Sequence, residues 1–330
     1  MNSELKRWKT GSVVVTSTLR LVKASPAVWA IVTLIVIFSA LVPDKFLSIS
    51  NLVAILKNFA VTSMLAIGPT FVILLGSIDV SFIGIWMFGG ALVWLLYPYL
   101  GLASIVIYPV FGLLVGLFNG VVHVKAKVPS FILTIAVTAI FAYLTTYVRN
   151  ISGLLTLTVP AYDFLLESPI PYIPSSFLLA LPLIVLALFI MFFTKLGTYF
   201  CAIGSNEEGA KLAGINVEKY KILAFMLSGL LVGLGSIAIF IHLGCRARVD
   251  FDPSELVRGL AAIVLGGTPL AGGMGGPQRT LLGALVYVLI FNGLFLLPGV
   301  DPNLLKLYVG TLLLGAVVVA SKALKGALIA

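Results

Sequence analysis

Charge is what this sequence has little of. Only 10% of its 330 residues are Asp, Glu, Lys or Arg, against roughly a quarter in ordinary soluble domains. A soluble protein of this length could not cover its surface with so few charges. A soluble enzyme, a nucleic-acid-binding domain and a disordered chain are therefore excluded. Cysteine is scarce too. Cys201 and Cys245 give neither a disulfide framework nor a CxxC site, and read as small apolar residues in or near spans. HExxH, GxSxG and GxxxxGK[ST] do not occur, and the glycine-rich stretch 266–276 lacks the lysine with which a P-loop holds phosphates. The chain is expected to hold no ATP of its own and to be no enzyme. The two histidines, His123 and His242, fall at opposite membrane faces in the topology below, so no metal site is expected.

What is present is apolar: 60% hydrophobic residues and a mean hydropathy of +1.16. Runs free of Asp, Glu, Lys and Arg cover 24–43, 58–78, 80–122, 128–148, 168–194, 222–245, 259–278, 280–300 and 307–321. A span needs about 20 such residues. Run 80–122 holds two, with the turn expected at Tyr97-Pro98-Tyr99, and Gly-Gly-Thr-Pro at 266–269 interrupts run 259–278. The expected fold is an all-α polytopic membrane protein of about ten transmembrane helices. The net charge of +9 sits in the gaps between runs, which speaks for topology and against nucleic acid. With both termini inside, inner segments carry about twice as many Lys and Arg as outer ones, as the positive-inside rule asks. The expected organisation is a basic lead over 1–25, one transmembrane domain over 26–321 and an inner tail over 322–330. Long loops lie at 149–176 (outer) and 195–221 (inner).

The tripeptide Phe-Asn-Gly recurs at 118–120 and 291–293, late in the fourth and ninth expected spans. An offset of five spans would invert the second copy, so two inverted five-helix halves are one arrangement this allows. Gly112, Gly116 and Gly120, and again Gly229 and Gly233, have GxxxG spacing, which lets helices approach closely in lipid within one chain or between subunits.

Asp79 is the one charge between residues 58 and 122. An intramembrane carboxylate is costly and marks a functional site by default. Between Gly76, Ser77 and Ser81 it also has the setting of a helix cap; both readings stay open. In the inner loop, Ser205 or Asn206 has the chemistry of an N-cap, Glu207 and Glu208 would occupy the positive first turn, and Gly214 stands where a left-handed stop belongs. The pattern predicts a helix of two to three turns, charged on one side and apolar on the other. Its expected use is docking to a soluble motor.

Residues 197–217 resemble the coupling segment of permease subunits of ABC importers, in the branch for ribose, xylose and other monosaccharides. They fit G-x-x-x-x-A-I-G-x-N-x-x-A-A-x-x-x-G-I-x-V, with Gly209 where alanine is usual. Gly76–Ser81 is similar to the family's G-G-I-D-L-S, with Ser77 and Val80 as departures. Leu265–Thr268 with Gly272-Gly273 looks like its late glycine-rich motif. Asn119-Gly120 and Pro129–Thr134 match N-G and P-x-F-I-x-T. The resemblance implies a pair of permease subunits, identical or related, in the prokaryotic cytoplasmic membrane. A cytoplasmic ATPase that carries ATP and Mg would dock beneath them, and an extracytoplasmic binding protein would deliver a pentose or hexose. It assigns coupling to Asn206, Glu207, Glu208, Lys211 and Gly214. Asp79, Asn119, Phe131, Thr134 and Asn292 are candidates for the pathway, since amides, hydroxyls and aromatic rings suit sugars. The same architecture also serves nucleosides, branched-chain amino acids and a furanose-like signal. An ion-coupled secondary transporter would want more intramembrane ionisable groups than Asp79.

Overall fold

The computed structural model describes residues 26–301, 304–311 and 315. The basic lead 1–25, the tail 322–330 and most of the last apolar run lie outside them. Apart from one turn at Pro43–Phe46 and a helical stretch over 305–311, the described helices are α1 Pro26–Leu41, α2 Ile49–Leu74, α3 Phe82–Leu100, α4 Ile107–Lys125, α5 Ser130–Ser152, α6 Ser175–Phe193, α7 Lys195–Ser205, α8 Glu207–Leu212, α9 Val217–His242, α10 Pro253–Leu265 and α11 Pro277–Leu296. A two-stranded antiparallel ribbon joins β1 Leu157–Thr158 to β2 Arg246–Ala247. Among the described residues, six stretches are long and apolar enough to cross a membrane: α2, α5, α6, α9, α11 and the 44-residue stretch Phe82–Lys125. The chain is a multi-pass helical membrane protein.

That 44-residue stretch is folded on itself. Phe88 of α3 packs on Phe111 of α4 with ring centroids 5.6 Å apart. The turn falls at Gly101–Val106, a 3-10 segment, rather than at Tyr97-Pro98-Tyr99. Pro98 is carried inside the last turn of α3, and the helix ends only where Gly101 takes a φ of +55°.

The expected span 259–278 is also displaced. α10 starts earlier, at Pro253 behind an Asp252 N-cap, and stops at Gly266. Thirteen residues at about 1.5 Å each make roughly 20 Å, short of a bilayer's apolar core of about 30 Å. α1, at 16 residues, is likewise short.

The centre of the bundle is the contact of α4 with α9. A Cβ on Gly112 would lie 2.1 Å from the Gly229 carbonyl oxygen, and one on Gly116 would lie 2.2 Å from that of Phe225. The backbones thus touch with no side chain between them, so both GxxxG faces are spent on packing within the chain. Lipid is as apolar as leucine, and close van der Waals contact is what holds such helices together. α2 crosses α9 where Gly235 meets Met64.

One end of the bundle carries α7 and α8. There Lys125, closing α4, pairs with Glu218, opening α9 (2.6 Å). The opposite end carries the ribbon, the Arg149–Asp250 ion pair (2.8 Å) and a 3-10 turn at Pro160–Leu165. Tyr162 from that turn is buried, with its hydroxyl 2.8 Å from Ser104 Oγ.

Gly229→Leu forces a side chain into this backbone contact. Overpacking of this kind costs about 1–3 kcal/mol or more, so the variant should melt well below the parent, or fail to insert, in a thermal unfolding assay in detergent. Gly310→Ala, where a Cβ meets no atom within 4 Å and the backbone is helical, should leave assembly intact and is the control.

Candidate functional site

The inner loop folds into two short helices. Asn206, in extended backbone, accepts the Gly209 N–H on its side-chain oxygen at 2.9 Å and opens α8. Gly214 takes a φ of +82° and closes it, with Gly214 N–H bonded to Lys211 O and Ile215 N–H bonded to Ala210 O, both at 3.0 Å. These two bonds are the Schellman ending that the glycine permits. α8 is six residues long, shorter than the two to three turns the pattern predicts, because cap and stop stand only eight positions apart. Asn216 then caps α9 by accepting the Lys219 N–H at 3.0 Å.

The charges on α8 divide by direction. Glu207 turns inward and pairs with Lys211 (2.9 Å) and with Lys221 on α9 (2.7 Å). Hydrogen bonds from these two lysines hold its carboxyl below the usual carboxylate range. Glu208 is exposed, and Leu212 projects with 91% of its surface free, while Ala210 is buried on the opposite side.

This segment rests on two other loops. A Cβ on Gly204 would lie 1.9 Å from Leu74 O and 2.6 Å from Gly273 N. Gly273 N–H donates to Leu74 O at 2.9 Å, and Ser205 Oγ donates to Gly273 O at 3.1 Å. The end of α2, the end of α7 and the glycine-rich loop thus meet backbone to backbone.

Just beyond lies the turn 76–81. Asp79 is fully buried, and its Oδ1 accepts both the Ser81 N–H (2.9 Å) and the Ser81 hydroxyl (2.6 Å). Oδ2 accepts the Ser228 hydroxyl of α9 at 2.7 Å. Asn119 of α4 donates to Ser81 Oγ at 2.9 Å. Thr134 and Thr138 of α5 grip Val80 through its N–H (3.1 Å) and carbonyl (2.8 Å). Three of the pathway candidates, Asp79, Asn119 and Thr134, therefore share one sealed polar clasp.

The family described as "Branched-chain amino acid transport system / permease component" matches residues 51–321. This chain belongs to that permease family. The permease is 33% identical over 299 residues to the ribose import permease protein RbsC of Escherichia coli K12, covering 89% of this chain and 92% of the relative. It is 32% identical over 279 residues to RbsC of Haemophilus influenzae, covering 81% and 84%. It is 30% identical over 334 residues to the xylose transport system permease protein XylH of the same organism, covering 81% and 88%. No solved structure matches.

The other two candidates stand apart from the clasp. Phe131 lies exposed at the start of α5. Asn292 is buried in α11 and accepts the Asn58 side-chain N–H at 3.0 Å. Asn58 belongs to a second polar cluster in the permease that the apolar-run reading passes over. Arg258 of α10, its side chain 14% exposed, donates from Nε to Thr62 Oγ1 (2.7 Å) and from Nη2 to Asn58 O (2.9 Å). It also pairs with Glu255 (3.5 Å) and lies 5.8 Å over the Tyr287 ring. The signal that finds this cluster is Asp252-Pro253-Ser254-Glu255: an N-cap, a proline at the first helical position and a glutamate at the third. That string starts a helix ahead of the run and draws both charges into it. Among the described residues no group of three His, Cys, Asp or Glu side chains is placed to hold a metal.

Two outcomes follow. Leu212→Asp should leave the permease folded and abolish co-purification of a partner ATPase; retained co-purification would rule α8 out as a docking surface. Asp79→Ala strands the Ser81 and Ser228 hydroxyls in the core, and each buried group left unpaired costs about 1–3 kcal/mol. Thermal unfolding in detergent should register that loss, with Ser228→Ala the milder of the two.

Proposed function

We propose that this permease is the membrane subunit of an ATP-driven, binding-protein-dependent importer and forms the translocation pathway for a monosaccharide, a pentose or hexose. The observation that carries the reading is α8, a capped helix that presents Glu208 and Leu212 outward from a loop tied to the permease core. The ribose and xylose permeases it resembles over four fifths or more of its length supply the cargo class. In this reading ATP and Mg belong to a cytoplasmic ATPase that docks on α8, and Asn206, Glu207, Glu208, Lys211 and Gly214 form the coupling segment. A second permease subunit completes the pathway, and an extracytoplasmic binding protein meets the ribbon end. The α8 end and both termini face the cytoplasm, with the prokaryotic inner membrane crossed about ten times by one domain over 26–321. Asp79, Asn119, Phe131, Thr134 and Asn292 remain pathway candidates.

Two inverted halves agree with a repeat beyond the shared tripeptide. Asp79 and Asp252 are 173 residues apart (252 minus 79), as are Ser81 and Ser254, and Asn119 and Asn292. The two Asp-x-Ser turns have the same bonding: Asp252 Oδ1 accepts the Ser254 N–H at 3.0 Å and its hydroxyl at 2.7 Å. One opens α3 at the α8 end and the other opens α10 at the ribbon end. α4 runs toward the α8 end and α11 away from it, which suits an inverted copy.

Branched-chain amino acids, named in the family description, are the second reading, with nucleosides and a furanose-like signal behind them. Ion coupling is less favoured, since Asp79 is bonded to hydroxyls rather than poised beside another ionisable group.

The test is uptake by proteoliposomes holding the permease and its ATPase, with the binding protein outside. ATP-dependent entry of D-ribose or D-xylose that needs the binding protein is expected. Entry of leucine but of neither sugar would move the cargo to the second reading, and uptake that ignores ATP but collapses with an uncoupler would overturn the importer.

A further inference from the structure

The repeat supplies an internal control. In the first half, Phe82, Ile85, Leu114 and Leu133 are all apolar. Phe82 and Ile85 are fully buried there. At the same separation of 173 residues the other half carries Glu255, Arg258, Tyr287 and Lys306. Four apolar positions in one half correspond to three charges and a phenol in the other. These four side chains line one cavity of about 360 Å³, between α10, α11 and the helical stretch 305–311.

Packing does not ask for Glu255 and Arg258, because the first half buries apolar groups, Phe82 and Ile85, at the matching positions. Buried ion pairs are often no more stabilising than apolar residues of the same size. The charges are also interleaved, with two acids (Asp252 and Glu255) among three bases (Arg248, Arg258 and Lys306). Asp252, cap of α10, pairs with Lys306 and with Arg248 (3.4 Å), and Glu255 pairs with Arg258. Paired acids and bases alternate acceptors with donors, which suits a neutral ligand rich in hydroxyls better than an ion. The cavity is at the small end of the usual range for small-molecule sites, roughly 300–1,000 Å³. It is reachable as well: Val257 on its wall is 48% exposed.

We propose that this cavity, at the ribbon end of the bundle, is a binding site for a small polyhydroxylated solute, with Glu255 and Arg258 as its recognising pair. The proposal rests on the importer reading, and it places solute recognition in the second half of the permease alone. A solute released at the ribbon end would exchange water for the carboxylate oxygens of Glu255 and the outward N–H groups of Arg258 before moving inward. The phosphate of an anionic lipid is the competing occupant, and the test separates the two.

The complete permease–ATPase complex is reconstituted in phosphatidylcholine vesicles with its binding protein, and D-ribose and D-xylose are the probes. Glu255→Gln, which keeps size and removes the charge, should slow uptake of the transported sugar at least about tenfold while the complex still assembles. Glu255→Asp should recover part of the rate. Val257→Cys should react with a small thiol reagent, with the parent chain as the blank for Cys201 and Cys245, and millimolar sugar should slow that reaction. Parent-like uptake by Glu255→Gln, or labelling indifferent to sugar, overturns the site. So does protection given by added phosphatidylglycerol and not by sugar. If the parent complex transports neither probe, it is the sugar reading of the cargo that fails, not the site.

Discussion

Everything in this permease hangs on two helices touching without side chains between them. Gly112 and Gly229 bring α4 and α9 to backbone contact. The residues beside these glycines then have fixed places. Asn119 stands next to Gly120, which packs on Ile222 of α9, and Ser228 stands next to Gly229. They reach the Asp79 turn from two sides, and with α5 they enclose it. An acidic side chain with no cation bonded to it among the described residues is tolerable in such a place because three hydrogen bonds reach its two oxygens. Wider spacing of α4 and α9 would leave those bonds unmade.

The α8 end shows how local chemistry and global packing divide the work. Asn206, Gly214 and Asn216 act within four or five residues of themselves, so the start and stop of α8 were legible in the order of residues alone. The seat of loop 195–221 was not. Its contacts with Leu74 and Gly273 run to segments 130 and 69 positions from Gly204 (204 minus 74, 273 minus 204), and no spacing rule carries that far. Glu207 makes the same point: its i,i+4 partner Lys211 is readable, but the bond to Lys221 that turns the carboxylate inward depends on where α9 begins.

The errors of the sequence reading have physical causes too. A proline seemed the natural corner of the α3–α4 hairpin, yet a ring in the last turn of a long apolar helix leaves enough other bonds for the helix to continue. Counting apolar runs set α10 too late, because Glu255 and Arg258 were taken as the edge of a span. A cap and a proline begin the helix ahead of them, and Asn58 and Thr62 give the guanidinium polar partners inside the bundle. Asp79, Asn119 and Thr134 were found because polar residues in apolar runs are conspicuous. That three would share one network while Phe131 and Asn292 stood elsewhere is a fact of packing, not of pattern.

α9 has a mechanical consequence. Its N-terminal end is tied to α8 through the Glu207–Lys221 pair, and three residues past its last turn the chain enters β2. Twenty-six residues at 1.5 Å each make a rod of about 39 Å. Such a rod converts angle into displacement. A tilt of about 5° imposed at α8 would carry the far end sideways by about 3 Å, roughly the length of one hydrogen bond.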